Sequence, residues 1–112
     1  MREPLDEVYI DELLQEALSK GWSELYLEQG KPPYGRVGGS YQMDELSQYE
    51  VVRKVVLQRM AYDMLSNEQI ARLEEHGVLQ FYHVAVRIAR FSVRLVVVDG
   101  RMEASFQVLP KP

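Results

Sequence analysis

Asp99-Gly100 lies between two stretches whose apolar residues alternate, and that arrangement commits the C-terminal third of the chain to an antiparallel hairpin. An Asp-Gly pair suits the type I′ turn, which needs positive φ at both central positions. Upstream, Phe91, Val93, Leu95 and Val97 share one strand face, while Arg90, Ser92, Arg94, Val96 and Val98 share the other. Met102 to Leu109 is the expected returning strand, and Pro110 ends it. The strand pattern begins at Val78, and the segment Ala85 to Ala89 contains no turn residue to show how the chain connects there.

The N-terminal part has the longer, helical period. Ile10, Leu13, Leu14, Ala17 and Leu18 recur at helix spacing, with Leu5 and Tyr9 extending the stripe. Pro4 suits a first turn, the acids at Asp6, Glu7, Asp11 and Glu12 favour the positive end of a helix, and Gly21 is a stop. Leu25 and Leu27 then alternate with Glu24, Tyr26 and Glu28, the pattern of a half-buried strand that Gly30-Lys31-Pro32-Pro33 breaks. A hairpin of Tyr34 to Val37 and Ser40 to Met43, joined through Gly38-Gly39, is expected next. Ser47 with Glu50 reads as a capping box opening a helix with Val52, Val55, Val56 and Met60 on one side. Ser66 with Gln69 reads as a second box, for a helix carrying Ile70 and Leu73 and ending at Gly77. The order α-β-β-β-α-α-β-β-β predicts one domain over residues 1–112: an α/β (α+β) sheet of about six strands with helices against one face.

Composition narrows the chemistry. Cysteine is absent, which excludes disulfides, thiolate metal sites and cysteine nucleophiles. A net charge of -4 argues against sequence-independent nucleic-acid binding, which depends on neutralising phosphates. Met1-Arg2-Glu3-Pro4 lacks a signal-peptide pattern, and no apolar run approaches the ~20 residues of a spanning helix. A soluble, cytoplasmic protein without membrane insertion is expected. No GxxxxGK[ST] loop is present, so the chain has no phosphate cradle of that kind.

Catalytic and metal-binding candidates find no support. His76 and His83 lack metal-ligand spacing, with each other or with carboxylates. Glu74-Glu75 is a solvated helix face rather than a pair converging on one bond, and Ser23, Ser47 and Ser66 read as one turn and two caps. Trp22 and the seven tyrosines show no cage-like clustering, and most of them read as core or rim residues. Arg90 and Arg94 share a strand face and could contact a phosphate or acidic partner through guanidinium geometry, or could be a solvated face. Arg36 is either a salt-bridge residue or a ligand residue. Val96, Val97 and Val98 make both faces of one strand end apolar, the mark of a strand covered on both sides or of an intermolecular contact.

Several of these residues form a recognisable series. Ser23-Glu24-Leu25-Tyr26-Leu27 follows the first helix; Gly30-Lys31-Pro32-Pro33-Tyr34-Gly35-Arg36-Val37-Gly38-Gly39 follows that. Then come the helix Asn67 to Gly77, Arg90-Phe91-Ser92-Val93-Arg94 and Phe106-Gln107-Val108-Leu109-Pro110. Together they resemble the N-terminal domain of the PilT-like type IV pilus retraction and secretion ATPases, which carries Gly-x-Pro-Pro-x-x-Arg-x-x-Gly at the second position of the series. The resemblance implies a PAS-like fold packed on the ATPase domain of a neighbour in a hexameric ring, at the cytoplasmic base of a pilus machine. It also implies that arginines help close the nucleotide site, which makes Arg36, Arg90 and Arg94 the candidate cofactor-binding residues, with ATP and magnesium present only by association with an ATPase domain.

The departures bear on that last point. Ser92 replaces the second arginine of Arg-Phe-Arg, Arg94 replaces an Asn, and Gln107 replaces the arginine of Phe-Arg. Ala85-Val86-Arg87-Ile88 stands where the family has a Pro-Gly turn. The expectation is a retained fold without the family's nucleotide sensing. The chain would act as a non-catalytic interaction module that docks on an ATPase ring or on itself through the sheet edge and Val96 to Val98. Catalysis would come from another polypeptide or from a further part of the gene product. The alternative is a stand-alone PAS-like small-molecule sensor.

Overall fold

The structure is a computed structural model that describes residues 1–85, 87 and 89–110. Among these, the order is α1 (Ile10–Ser19), β1 (Trp22–Glu28), β2 (Tyr34–Val37), β3 (Met43–Glu45), α2 (Lys54–Asp63), α3 (Asn67–His76), β4 (Val78–Ala85), β5 (Ala89–Val98) and β6 (Arg101–Val108). The six strands form one antiparallel sheet in the order β3-β2-β1-β6-β5-β4. Two local meanders, β1-β2-β3 and β4-β5-β6, are therefore joined by pairing of β1 with β6, with Leu25 opposite Phe106 and Leu27 opposite Ala104.

The alternation of β5 holds throughout: Phe91, Val93 and Leu95 are buried, and Arg90, Arg94 and Val98 are exposed. Asp99 and Gly100 both take positive φ, 52° and 77°, as a type I′ turn requires. On the buried side the strands meet Ile10, Leu13, Leu14 and Ala17 of α1, Val56, Leu57, Met60 and Ala61 of α2, and Leu73 of α3. These residues form one apolar core, in which each fully enclosed Leu or Phe side chain contributes roughly 1.5–3 kcal/mol relative to exposure.

The helix ends divide into one agreement and one correction. Ser66 Oγ accepts from the Gln69 N–H at 3.2 Å, the Gln69 side chain accepts from the Ser66 N–H at 2.9 Å, and Gly77 closes α3 in the left-handed region. Ser47 and Glu50 cap nothing. The segment they sit in is held extended by neighbours: Glu3 donates to the Gln48 carbonyl and accepts from the Glu50 N–H, while Val52 exchanges backbone bonds with Gly30 and Lys31. Leu46, Tyr49 and Val52 face the core from this extended run, and the helix starts only after Arg53. Its apolar face accordingly shifts to Val56, Leu57, Met60 and Ala61, leaving Val55 exposed.

Two boundaries also move, and one open connection is resolved. The third strand is Met43–Glu45 rather than Ser40 to Met43, because Gly38 to Tyr41 are spent on the turn. Pro4 and Leu5 precede α1, whose N-cap is Tyr9; its N–H donates to the Glu12 carboxylate at 2.9 Å. Ala85 pairs directly with Ala89 across a connection where Arg87 has a φ of 71°. Val86 and Ile88, which belong to the departure noted there, lie outside the described residues.

Candidate docking face

Because all three helices lie on one side, the other face of the sheet is open. The strand registers set its side chains in rows. One row runs Met43, Arg36, Glu24, Gln107, Ser92, Tyr82; the next runs Glu45, Tyr34, Tyr26, Ser105, Arg94, Gln80. A third row runs Glu28, Glu103, Val96, Val78. Polar residues dominate the β2-β1-β6 side, and apolar ones collect toward β4, where Val78, Tyr82 and Val84 are exposed together with Val98 at the β5 end.

The polar side is cross-braced. Tyr26 and Tyr34 stack with ring centroids 5.2 Å apart, their hydroxyls donating to Glu24 and Glu28. Lys31 places its ammonium 5.5 Å from the Tyr34 ring centroid, within cation–π range. Burial, reinforced by the Glu24 carboxylate, raises the Tyr26 phenol above its ordinary pKa, while Arg36 opposes that shift. This tyrosine pair was not read from the sequence, although Tyr26 and Tyr34 occupy neighbouring expected strands with like parity.

The three candidate arginines do not converge. Arg36 sits on β2 with Nε 3.4 Å from Glu24 Oε2, and that buried Nε has no hydrogen-bond partner of good geometry. Arg94 lies on β5, beyond β1 and β6, about 14 Å away across three strand spacings. Arg90 lies a further four residues along β5, opposite Val84. A shallow depression of about 220 Å³ at the middle of the face is bordered by Glu24, Tyr26, Gln80, Ser92 and Arg94. Val96 and Val98 point to this open face; Val97 points the other way, half-buried against the core.

Elsewhere, His83 contacts Asp11 at 2.8 Å and ties β4 to α1, while His76 and the pair Glu74-Glu75 are exposed. Trp22 and Tyr49 are core residues and Tyr26, Tyr34 and Tyr62 are half-buried, so most of this aromatic set is core or rim as expected, while Tyr9, Tyr41 and Tyr82 are exposed. Among the described residues no helix is long and apolar enough to cross a membrane.

No protein-family model and no curated protein sequence matches the chain. Solved structures do. The pilus retraction motor PilT with bound ADP superposes with a TM-score of 0.84 at 26% identity, over 95% of this chain and 30% of that one. The ATPase DotB of Legionella pneumophila gives a TM-score of 0.74 at 13% identity over 97% of this chain and 33% of its own. DotB of Yersinia pseudotuberculosis gives 0.68 at 16% identity, over 89% and 29%. The chain thus spans about a third of each protein's length, and it contains no P-loop sequence. It carries the fold found in the N-terminal region of the PilT and DotB ATPases, over about a third of their length.

Proposed function

We propose that this chain is a non-catalytic interaction module of a type IV pilus or related secretion machine in the cytoplasm, docking on a hexameric ATPase ring or on itself. The observation that carries this reading is the agreement with PilT over nearly the whole chain. The open sheet face supplies the surface. Val78, Val96 and Val98 give it an apolar patch, and Arg94 and Glu103, the neighbours of Val96 along and across the strands, supply charge beside it. ATP and magnesium would belong to a partner's ATPase domain, and any contact from Arg36, Arg90 or Arg94 would be to the nucleotide's phosphates and not to the metal.

Val96→Glu and Val98→Glu test the docking face. Both positions face outward, so each variant is expected to keep its circular dichroism while binding a purified retraction-ATPase ring about tenfold or more weakly. Wild-type binding by both folded variants would show that docking uses another surface.

A small-molecule sensor is the second reading, favoured by a groove of about 500 Å³ between α2, α3 and the β5–β6 turn. Tyr62, Leu73, Val97 and Met102 give it an apolar floor. Native mass spectrometry of protein purified from source cells separates the two readings: a stoichiometric bound molecule supports the sensor, and a ligand-free assembly supports docking.

A further inference from the structure

The long free edge of the sheet belongs to β4, and its hydrogen-bonding parity can be read from one bond. The Val97 N–H donates to the Gly77 carbonyl at 2.7 Å. Antiparallel pairs alternate between bonded and non-bonded, so stepping by two makes Leu79–Leu95, Phe81–Val93 and His83–Phe91 the bonded pairs. Val78, Gln80, Tyr82 and Val84 therefore turn their N–H and C=O groups outward. No backbone partner takes these groups among the described residues.

Edges of this kind are normally guarded by Lys, Pro, a bulge or brevity. The sequence Val78-Leu79-Gln80-Phe81-Tyr82-His83-Val84-Ala85 has no Lys, Pro, Asp, Glu or Arg, and its eight residues pair with β5 without a break. The opposite edge, β3, is only three residues long and carries Asp44 and Glu45.

We propose that β4 is a self-association edge, pairing antiparallel with β4 of a second copy to make one continuous sheet. This deepens the self-association arm of the docking role and names its geometry. One register uses the whole strand. It sets Phe81 against Phe81 on the two-fold axis, Gln80 against Tyr82, and Val78 against Val84.

In that register the outward groups of all four edge residues are satisfied, and an apolar row Val96–Val78–Val84 runs across the seam. The β5 arginines of the two copies stay about 14 Å apart, beyond the ~8 Å screening length at physiological ionic strength. A second copy therefore matches the edge in length and hydrogen-bond parity.

Sedimentation velocity of the purified chain over a concentration series tests this. A species of twice 13.0 kDa is expected to build up with concentration. Tyr82→Pro removes only an outward N–H, leaves the β4–β5 bonds in place and is expected to give monomer. Val84→Lys keeps the backbone untouched and is expected to raise the dimer dissociation constant about tenfold or more, so the test survives if the proline variant fails to fold.

Register is read by oxidative cross-linking in a chain with no native cysteine. Phe81→Cys places two Cα atoms about 4.5 Å apart on the axis, within disulfide reach. The two residues of Val84→Cys lie about 20 Å apart. A monomer at every concentration, or a dimer that survives both Val84→Lys and Tyr82→Pro, overturns the proposal; cross-linking at 84 without 81 overturns the register. No ATPase ring enters these measurements, and Val96→Glu leaves the outward groups of β4 alone. Failure here and failure of ring docking are therefore separate results.

Discussion

The indole of Trp22 lies directly over Gly35: a Cβ added at Gly35 would stand 2.3 Å from Trp22 Cε3 and 2.3 Å from the Glu24 carbonyl oxygen. Two neighbouring strands pinch at this point, Trp22 is buried, and its Nε1 donates to Asp44 of β3 at 3.3 Å. The glycine of the Pro-Pro-Tyr-Gly-Arg run thus holds space for the side chain that links three strands. Gly35→Ala is expected to lower stability by about 3 kcal/mol or more, since backbone oxygen as well as the ring must give way. Urea unfolding monitored by Trp22 fluorescence, the sole tryptophan, measures it directly.

The two candidate capping boxes separate by mutation. Ser66→Ala removes a side-chain acceptor at the head of α3 and is expected to cost about 1 kcal/mol. Ser47→Ala removes no cap and is expected to fall within about 0.5 kcal/mol of wild type. Equal losses at the two serines, by chemical denaturation, would contradict the assignment of α2.

Tyr49 makes stability depend on alkaline pH. Burial, and then the Glu16 carboxylate that its hydroxyl meets at 2.7 Å, raise its phenol above the ordinary value of 10.0. Above that pH the unfolded tyrosine loses its proton while the folded one retains it. The unfolded state then binds fewer protons, and stability falls as pH rises. Tyr26 adds to the slope in the same direction. Tyr49→Phe is expected to flatten it, seen as a smaller drop in urea midpoint from neutral pH to beyond the tyrosine range.

Arg59 of α2 donates to the carbonyls of Leu5 and Val8, at 3.1 and 2.8 Å, and pins the segment before α1. Arg59→Met keeps much of the aliphatic stem and loses both donors, so a cost of about 1–2 kcal/mol is expected. Hydrogen exchange should quicken at Val8, whose N–H donates to Leu5, ahead of the strands.

Where neighbours in sequence decide the structure, the residues announced it. Asp99-Gly100, the alternation of β5 and the Ser66–Gln69 cap each need only a few adjacent residues. Ser47–Glu50 has the same local signature and fails because Glu3, Gly30 and Lys31, distant in sequence, claim the surrounding backbone. The pairing of β1 with β6 is likewise non-local, and no local pattern states it. For the candidate face, parity placed Arg90, Arg94, Val96 and Val98 on one side. It did not show that Arg36 would meet Glu24, or that Tyr26 and Tyr34 would stack, because both depend on inter-strand register.

That non-local seam has a consequence for synthesis. On one flank β1 pairs with β2 close by in sequence, but on the other Glu24 to Glu28 pair with Glu103 to Gln107, so the first strand leaves the ribosome long before that second partner exists. Until then the flank of β1 that β6 will occupy stays bare, and the leucines of α1 have only half a floor. Helix and hairpin can form early from local contacts, but cooperative closure waits for the final strand. A nascent chain stalled before Phe106 should remain protease-sensitive throughout, and release of a few more residues should convert it to a resistant domain in one step.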